Sequence, residues 1–147
     1  MKLVDIYTDG SCLNNPGTGG WAGILKYGDI EKCITGAEKN TTNNRMELMA
    51  VIKSLECLKE RCEVNLYSDS AYVINAFEKG WLEKWESDGW KTFNKKEVQN
   101  KELWQALRDL TLIHKVNFIK VKGHSDNVFN NRCDEMARGS AQKLNQQ

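Results

Sequence analysis

Leu3-Val4-Asp5-Ile6-Tyr7-Thr8-Asp9-Gly10 is a branched, aromatic run that stops on an aspartate. Val64-Asn65-Leu66-Tyr67-Ser68-Asp69-Ser70 repeats that ending sixty positions later. Both have strand composition, and a side-chain period of two puts Asp9 on the face of Tyr7 and Asp69 on the face of Tyr67. Between the copies, Trp21 to Tyr27 and Glu31 to Ala37 are strand-like runs split by a Gly28-Asp29 turn, which predicts a hairpin. A helix comes next: Asn44 with Glu47 three positions on resembles a capping box, and Leu48, Met49, Ile52, Leu55 and Leu58 recur at helical spacing. A strand, hairpin, helix, strand order allows the two Tyr-x-Asp strands to be parallel neighbours. Both carboxylates then emerge at one sheet edge, where like charges raise each other's pKa and cost stability unless a cation compensates.

Outward from these runs, Gly10 to Gly20 reads as a turn-rich loop holding the only proline, Pro16. Ala71 to Phe77 predicts a short helix, Asn100 to His114 a longer one, and Val116 to Val121 a strand. A polar loop, Gly123 to Asn131, leads into a last helix ending near Leu144. Strands arrive first as a meander and then alternate with helices, which predicts an α/β fold, a mixed sheet with helices packed on it. The 147 residues suit one domain with its own core, and the net charge of +1 confines any polyanion binding to local patches or bound metal. Five scattered cysteines without a C-x-x-C pair suggest reduced thiols in a cytoplasmic protein. There is no apolar leader at the N-terminus and no run of about 20 apolar residues, so no membrane partner is expected.

Two further acids join the pair. Glu47 heads the stripe Ala50, Val51, Ser54, Leu55, Leu58, so its carboxylate points toward the sheet from the helix N-terminus. Asp134 aligns with Ala137 and Ala141, whose small size permits close approach to a neighbour. Singly, Asp9 is an ordinary turn residue, Glu47 a capping partner and Asp134 a first-turn acid complementing the helix dipole. Jointly they make an oxygen-only set suited to hard divalent ions.

The residues around them resemble ribonuclease H, the type 1 bacterial family. The resemblance is carried by Tyr7-Thr8-Asp9-Gly10-Ser11-Cys12, Asn15-Pro16-Gly17, Gly19-Gly20, Thr41-Thr42-Asn43-Asn44-Arg45-Met46-Glu47-Leu48 and Tyr67-Ser68-Asp69-Ser70. Trp81, Gly89-Trp90-Lys91, Val121-Lys122-Gly123-His124 and Asn131-Arg132-Cys133-Asp134-Glu135 continue it in order, so that it spans about residues 3 to 140. It implies a five-stranded mixed sheet, an antiparallel hairpin meander plus parallel strands flanked by helices. It further implies an endonuclease that hydrolyses the RNA strand of RNA–DNA hybrids with two Mg²⁺ ions (Mn²⁺ as an alternative), leaving 5′-phosphate and 3′-hydroxyl ends. Asp9, Glu47, Asp69 and Asp134 would be the metal ligands. His124 would accept a proton or assist product release, for which an imidazole pKa near 6.5 is suited. Gly10, Ser11, Cys12, Asn15, Asn43 and Asn44 would face the hybrid's minor groove. Thr42 and Asn100 would hold a DNA-strand phosphate, and Trp81 would line the DNA channel. A monomer acting as one catalytic domain over 1–147, without an appended hybrid-binding domain, is the corresponding expectation. The competing readings are a hybrid-binding module without catalysis and a DNA nuclease of the same fold. A pure binder gains nothing from four acids facing phosphates, and the Asn43-Asn44-Arg45 run favours the hybrid over duplex DNA.

Gly17-Thr18-Gly19-Gly20-Trp21-Ala22 fits a dinucleotide-binding fingerprint, but the residues after it read as a strand where that motif requires a helix. His114, in a helix tail, is assigned to structure. Trp81, Trp85 and Trp90 are expected to pack the following helix through Trp104. Two departures from the family pattern stand out. Ala71 occupies a place where a side-chain amide often contacts RNA, and the usually basic segment from Trp81 to Lys101 carries five lysines against four acids. Since neutralised phosphates dominate affinity, hybrid binding is expected to be weaker and its salt slope shallower than for a basic version. Replacing Glu86 and Asp88 with Lys is accordingly expected to tighten hybrid binding at low salt, measured by fluorescence anisotropy; an unchanged Kd would refute this.

Overall fold

A computed structural model describes residues 1–122 and 127–147. Strands β1 (Lys2–Cys12), β2 (Gly17–Tyr27), β3 (Ile30–Thr41), β4 (Cys62–Ser68) and β5 (Lys115–Lys120) form one sheet in the order β3-β2-β1-β4-β5. β1, β2 and β3 are an antiparallel meander, whereas β4 runs parallel to β1 and β5 parallel to β4. Helices α1 (Asn43–Glu56), α2 (Ala71–Glu78), α3 (Trp81–Ser87), α4 (Lys101–Ile113) and α5 (Val128–Asn145) flank it. This is the expected five-stranded mixed sheet.

The sheet buries both faces unequally. Val4 and Ile6 of β1 with Cys62, Val64 and Leu66 of β4 point to the side covered by α1 and α4, where Leu48, Val51, Leu55, Trp104 and Leu107 complete the main core. On the opposite side a smaller core joins Ala22 and Ile24 of β2 to Cys133 and Ala137 of α5. β2 is therefore apolar on successive residues, as a strand covered on both faces must be. Trp104 is fully buried and meets Trp85 at 5.4 Å between ring centroids, with Trp81 and Trp90 on either side of Trp85 at 6.1 and 6.3 Å. The tryptophans do pack through Trp104, by way of Trp85.

Three boundaries differ from expectation. The region from Gly10 to Gly20 is mostly strand: Ser11 pairs with Gly20 and Cys12 with Gly19, leaving only residues 13–16 as connection. Cross-strand pairing overrides the turn preference of its glycines. The start of α1 is not an Asn44–Glu47 capping box. Thr42, still extended at φ −132°, is the cap, and its hydroxyl accepts from Arg45 N at 3.2 Å. The chain passes from the last residue of β3 straight into the helix, so Asn43 and Asn44 lie in its first turn. Finally, α5 starts at Val128, with Asn127 accepting from Asn130 N at 2.9 Å, which makes Asn130 and Asn131 helical rather than part of a loop. Among the described residues no helix is long and apolar enough to cross a membrane.

His114 is buried beneath the N-terminal end of β4, where its Nδ1 accepts from the Cys62 backbone N at 3.1 Å. Burial, with the charge of Arg61 second, holds its pKa below the ordinary imidazole value. The unfolded chain thus binds this proton more readily, and stability is lost as the pH falls below about 6.5. His114→Ala leaves a buried N–H without its acceptor and is expected to cost about 1–3 kcal/mol at pH 7.5 while weakening the acid dependence. Urea denaturation at two pH values measures both, and an unchanged midpoint would refute the assignment.

Candidate active site

Tyr7 and Tyr67 are register partners on the parallel pair β1/β4, and their rings stack at 4.6 Å with 10° between planes. Two residues further along stand Asp9, still in β1 and paired with Ala22 of β2, and Asp69, just past the end of β4, where the pairing of β1 with β4 stops. Gly10 brings the third acid: a Cβ there would collide with Met46 C and Glu47 N, so only glycine lets the first turn of α1 lie on the end of β1. Asp9, Glu47 and Asp69 each present an oxygen within 4.8 Å of the others. Gly10 N donates to Asp9 Oδ1 at 2.9 Å, fixing that carboxylate.

Asp134 arrives on α5, which lies against β2 because a side chain at Gly20 would strike the Ala137 carbonyl. The Cys133 thiol donates to the Tyr7 carbonyl at 3.3 Å and fastens the same helix to β1. Burial pushes that thiol up to about 12, so it stays protonated. Asp134 lines the cavity of the other three acids but stands outside their 4.8 Å cluster. Its Oδ2 accepts from Arg138 Nε at 3.2 Å and lies 3.0 Å from Arg138 Nη2.

The electrostatics match the crowding. Burial, then the neighbouring Asp69 charge, pushes the Asp9 carboxyl up to about 7. Glu47 is raised well above the ordinary carboxylate range by burial, then by Asp9 and Asp69. No cation among the described residues pairs with Asp9, Glu47 or Asp69. Asn130, one helical turn before Asp134 and only 2% exposed, lines the cavity with an Oδ1 that has no hydrogen-bond partner among the described residues. A partly buried cluster of acceptors short of positive charge fits a hard, hydrated divalent cation.

The cavity holds about 380 Å³, and Gly10, Ser11, Cys12, Asn43 and Asn44 line it beside the acids. Asn15, Thr42, Asn44 and Asn100 line a second hollow of about 410 Å³ together with Gln99. Asn44 belongs to both, so eight of the nine substrate residues anticipated from sequence fall into two adjoining hollows. Trp81 lies apart, in a third hollow of about 300 Å³ with Trp85, Lys84 and Lys91. Glu86 and Glu83 are both paired with Arg108, at 3.1 and 3.3 Å, which leaves Asp88 as the acid of the α3 segment without an ion pair among the described residues. His124 lies outside the described residues.

Sequence inspection missed Ser70, Tyr72, Gln99, Asn130 and Asn131 as lining residues, and Arg138 as a partner of Asp134. Tyr72 is the most consequential. It lines the acid cavity, and its hydroxyl accepts from Asn100 Nδ2 at 3.2 Å and from Trp104 Nε1 at 3.0 Å. In sequence it is one aromatic residue in an apolar helix, and only its place three after Asp69 hints at the site. Arg45 fixes the second hollow from behind, reaching Glu38 on β3 and Glu102 on α4 at 2.7 Å each.

The ribonuclease H family model matches residues 1–142. The chain is 62% identical over 143 residues to the ribonuclease H of Acetivibrio thermocellus, covering 97% of both, and 59% identical over 137 residues to that of Chlorobaculum parvum, covering 93% of this chain and 94% of the relative. Among solved structures it is similar to LC9-RNase H1, a type 1 RNase H with the type 2 active-site motif, with a TM-score of 0.88 and 28% identity over 97% of this chain and 73% of that one. LC11-RNase H1 in complex with an RNA/DNA hybrid has the same fold, with a TM-score of 0.70 at 20% identity over 96% of this chain and 98% of that one.

Raised carboxyl pKa values mean that the native chain binds more protons than the unfolded chain between about pH 4 and pH 7, so clustering these acids costs stability as the pH rises through that window. Asp9→Asn removes one of the charges without changing shape. It is expected to raise the melting temperature at pH 8 by roughly 3–8 °C, with a smaller gain at pH 5.5. A divalent cation should raise the melting temperature of the unsubstituted chain at pH 8 and leave the variant nearly unmoved. Scanning calorimetry measures both, and a lower melting temperature for Asp9→Asn at pH 8 would overturn the charge-crowding account.

Proposed function

This chain belongs to the ribonuclease H family, nucleases that hydrolyse the RNA of RNA–DNA hybrids, and we propose that its acid cavity is the catalytic centre. The supporting observation is the trio Asp9, Glu47 and Asp69, within 4.8 Å of one another on the floor of a cavity walled by Asn43 and Asn44. In this reading Asp9, Glu47 and Asp69 hold the first divalent cation, and Asp134 completes the site for a second when the hybrid's phosphate is present. Mg²⁺ is the ion proposed, with Mn²⁺ as a substitute, because the donor set is carboxylate oxygen alone. Bound cations supply Lewis acidity at the scissile phosphate and acidify the attacking water.

The chain's own residues have distinct tasks. Asp9 and Glu47, whose carboxyls carry protons more readily than usual, must release them to serve as ligands, so cation affinity rises with pH. Gly10 N holds Asp9 through Oδ1. Asn43 and Asn44 offer amides that both donate and accept, which is what a ribose 2′-hydroxyl requires of a group distinguishing RNA from DNA. Gly10, Ser11 and Cys12 give that side of the groove a close backbone approach, and Asn15 reaches across to donor Asn43 N at 3.2 Å. Thr42 and Asn100 face the second hollow, where a phosphate of the DNA strand is proposed to sit, with Trp81 further along that strand. His124 is proposed as the proton acceptor or the group assisting release of a 5′-phosphate product, leaving 3′-hydroxyl on the other fragment.

Incubation with Mg²⁺ and labelled RNA–DNA, DNA–DNA and RNA–RNA duplexes tests this. Cleavage confined to the RNA strand of the hybrid is expected, abolished in Asp9→Asn and reduced but measurable in His124→Ala. Binding of the hybrid without cleavage would leave a binding module, and cutting of DNA–DNA would make the chain a DNA nuclease. Equal losses in the two variants would remove the accessory role of His124.

A further inference from the structure

Arg138 is the one cation paired with any of the four cavity acids among the described residues. Its Nε and Nη2 both address Asp134 Oδ2, at 3.2 and 3.0 Å, and among the described residues no hydrogen bond or ion pair engages Oδ1. Asp9, Glu47 and Asp69 have no such counter-ion, and they draw together while Asp134 stands off. The wall of the cavity is therefore electrostatically lopsided. Three crowded, uncompensated carboxylates occupy one side, and a carboxylate already neutralised through one oxygen occupies the other.

We propose that Arg138 is a positioning residue that keeps the second cation from binding before the hybrid arrives. This rests on the two-cation reading above. Arg138 acts in two ways, both through Asp134. Its positive charge offsets the carboxylate, so a divalent ion approaching Asp134 meets far less net attraction than one approaching the trio. Its grip on Oδ2 leaves Oδ1 as the only free oxygen, which fixes Asp134 as a single-oxygen ligand. The negative charge needed to seat the second cation then comes from the substrate's phosphate, and the order of binding is hybrid first, second cation after. A purely structural pair predicts something else. Arg138 and Asp134 are side chains 50% and 31% exposed at i, i+4 on α5, and such pairs barely affect stability.

Mn²⁺ titration of the full chain without substrate, followed by calorimetry and by the electron paramagnetic resonance signal of free Mn²⁺, tests the proposal. The unsubstituted chain is expected to bind one ion well and a second weakly. Arg138→Gln should tighten the second ion by roughly three- to tenfold at low salt, with a melting temperature within about 2 °C of the original. Arg138→Lys, which keeps the charge, should restore most of the original weakness. In the double variant Asp134→Asn/Arg138→Gln the gain should vanish. At saturating cation, Arg138→Gln should lower kcat and leave KM for the hybrid unchanged. The proposal is overturned by an unchanged second site in Arg138→Gln, by a gain that survives removal of the Asp134 charge, or by a raised KM, which would make Arg138 a phosphate contact. If the unsubstituted chain takes up no second ion even with a hybrid whose RNA strand carries 2′-methoxy groups, the two-cation reading itself fails and this proposal with it.

Discussion

The parallel pairing of β1 with β4 is the constraint on which the rest depends. Its register puts Tyr7 beside Tyr67 and so, two residues on, Asp9 beside Asp69. The stacked rings below make that register hard to slip, because a shift by one residue would carry every side chain to the opposite face. Fixing the strands therefore fixes an electrostatic conflict, two acids that cannot separate. The remaining elements bring more acid to the same place: α1 carries Glu47 over Gly10, and α5 carries Asp134 along the side of β2 opposite the main core. The fold uses its packing energy to hold together groups that repel, which is how a functional site differs from one built for stability.

The division of the sheet into two faces explains why these deliveries are independent. α1 belongs to the large core with Leu48, Val51 and Leu55, whereas α5 is held by a small core of Cys133 and Ala137 against Ala22 and Ile24. Glu47 and Asp134 consequently come from opposite sides of the sheet, on supports of very different extent. The three tightly gathered acids all sit on β1, β4 and α1, which share the large core. The acid that stands off is on the helix with the smaller one.

Much of this was legible in the sequence, and the misses have physical causes. The Tyr-x-Asp echo was readable because strand periodicity is local and the two copies state the same register. The inward aim of Glu47 was readable from the spacing of the apolar residues after it. Its supposed cap was not, because Thr42 enters the helix from a strand whose end only cross-strand pairing defines. The glycines of residues 10–20 suggested a loop since their use, admitting α1 and α5 close to the sheet, is tertiary. Asn130 and Asn131 looked like loop because the helix they open buries small and polar residues rather than an apolar stripe. Tyr72 and Arg138 carry no motif at all, and their roles exist only once distant elements are in place.

One hydroxyl has an effect beyond its own bonds. Tyr72 Oη takes hydrogen bonds from Asn100 at the second hollow and from Trp104 in the main core, while its ring borders the acids. The span between the acid cavity and the second hollow is thus braced from within, by a buried indole. Such a brace works as a gauge. Under the proposed function, a duplex whose groove matches the span would engage both hollows at once, and a wider or narrower one would give up a contact. If the two hollows hold the two strands as proposed, discrimination among helical forms is a matter of width set by core packing.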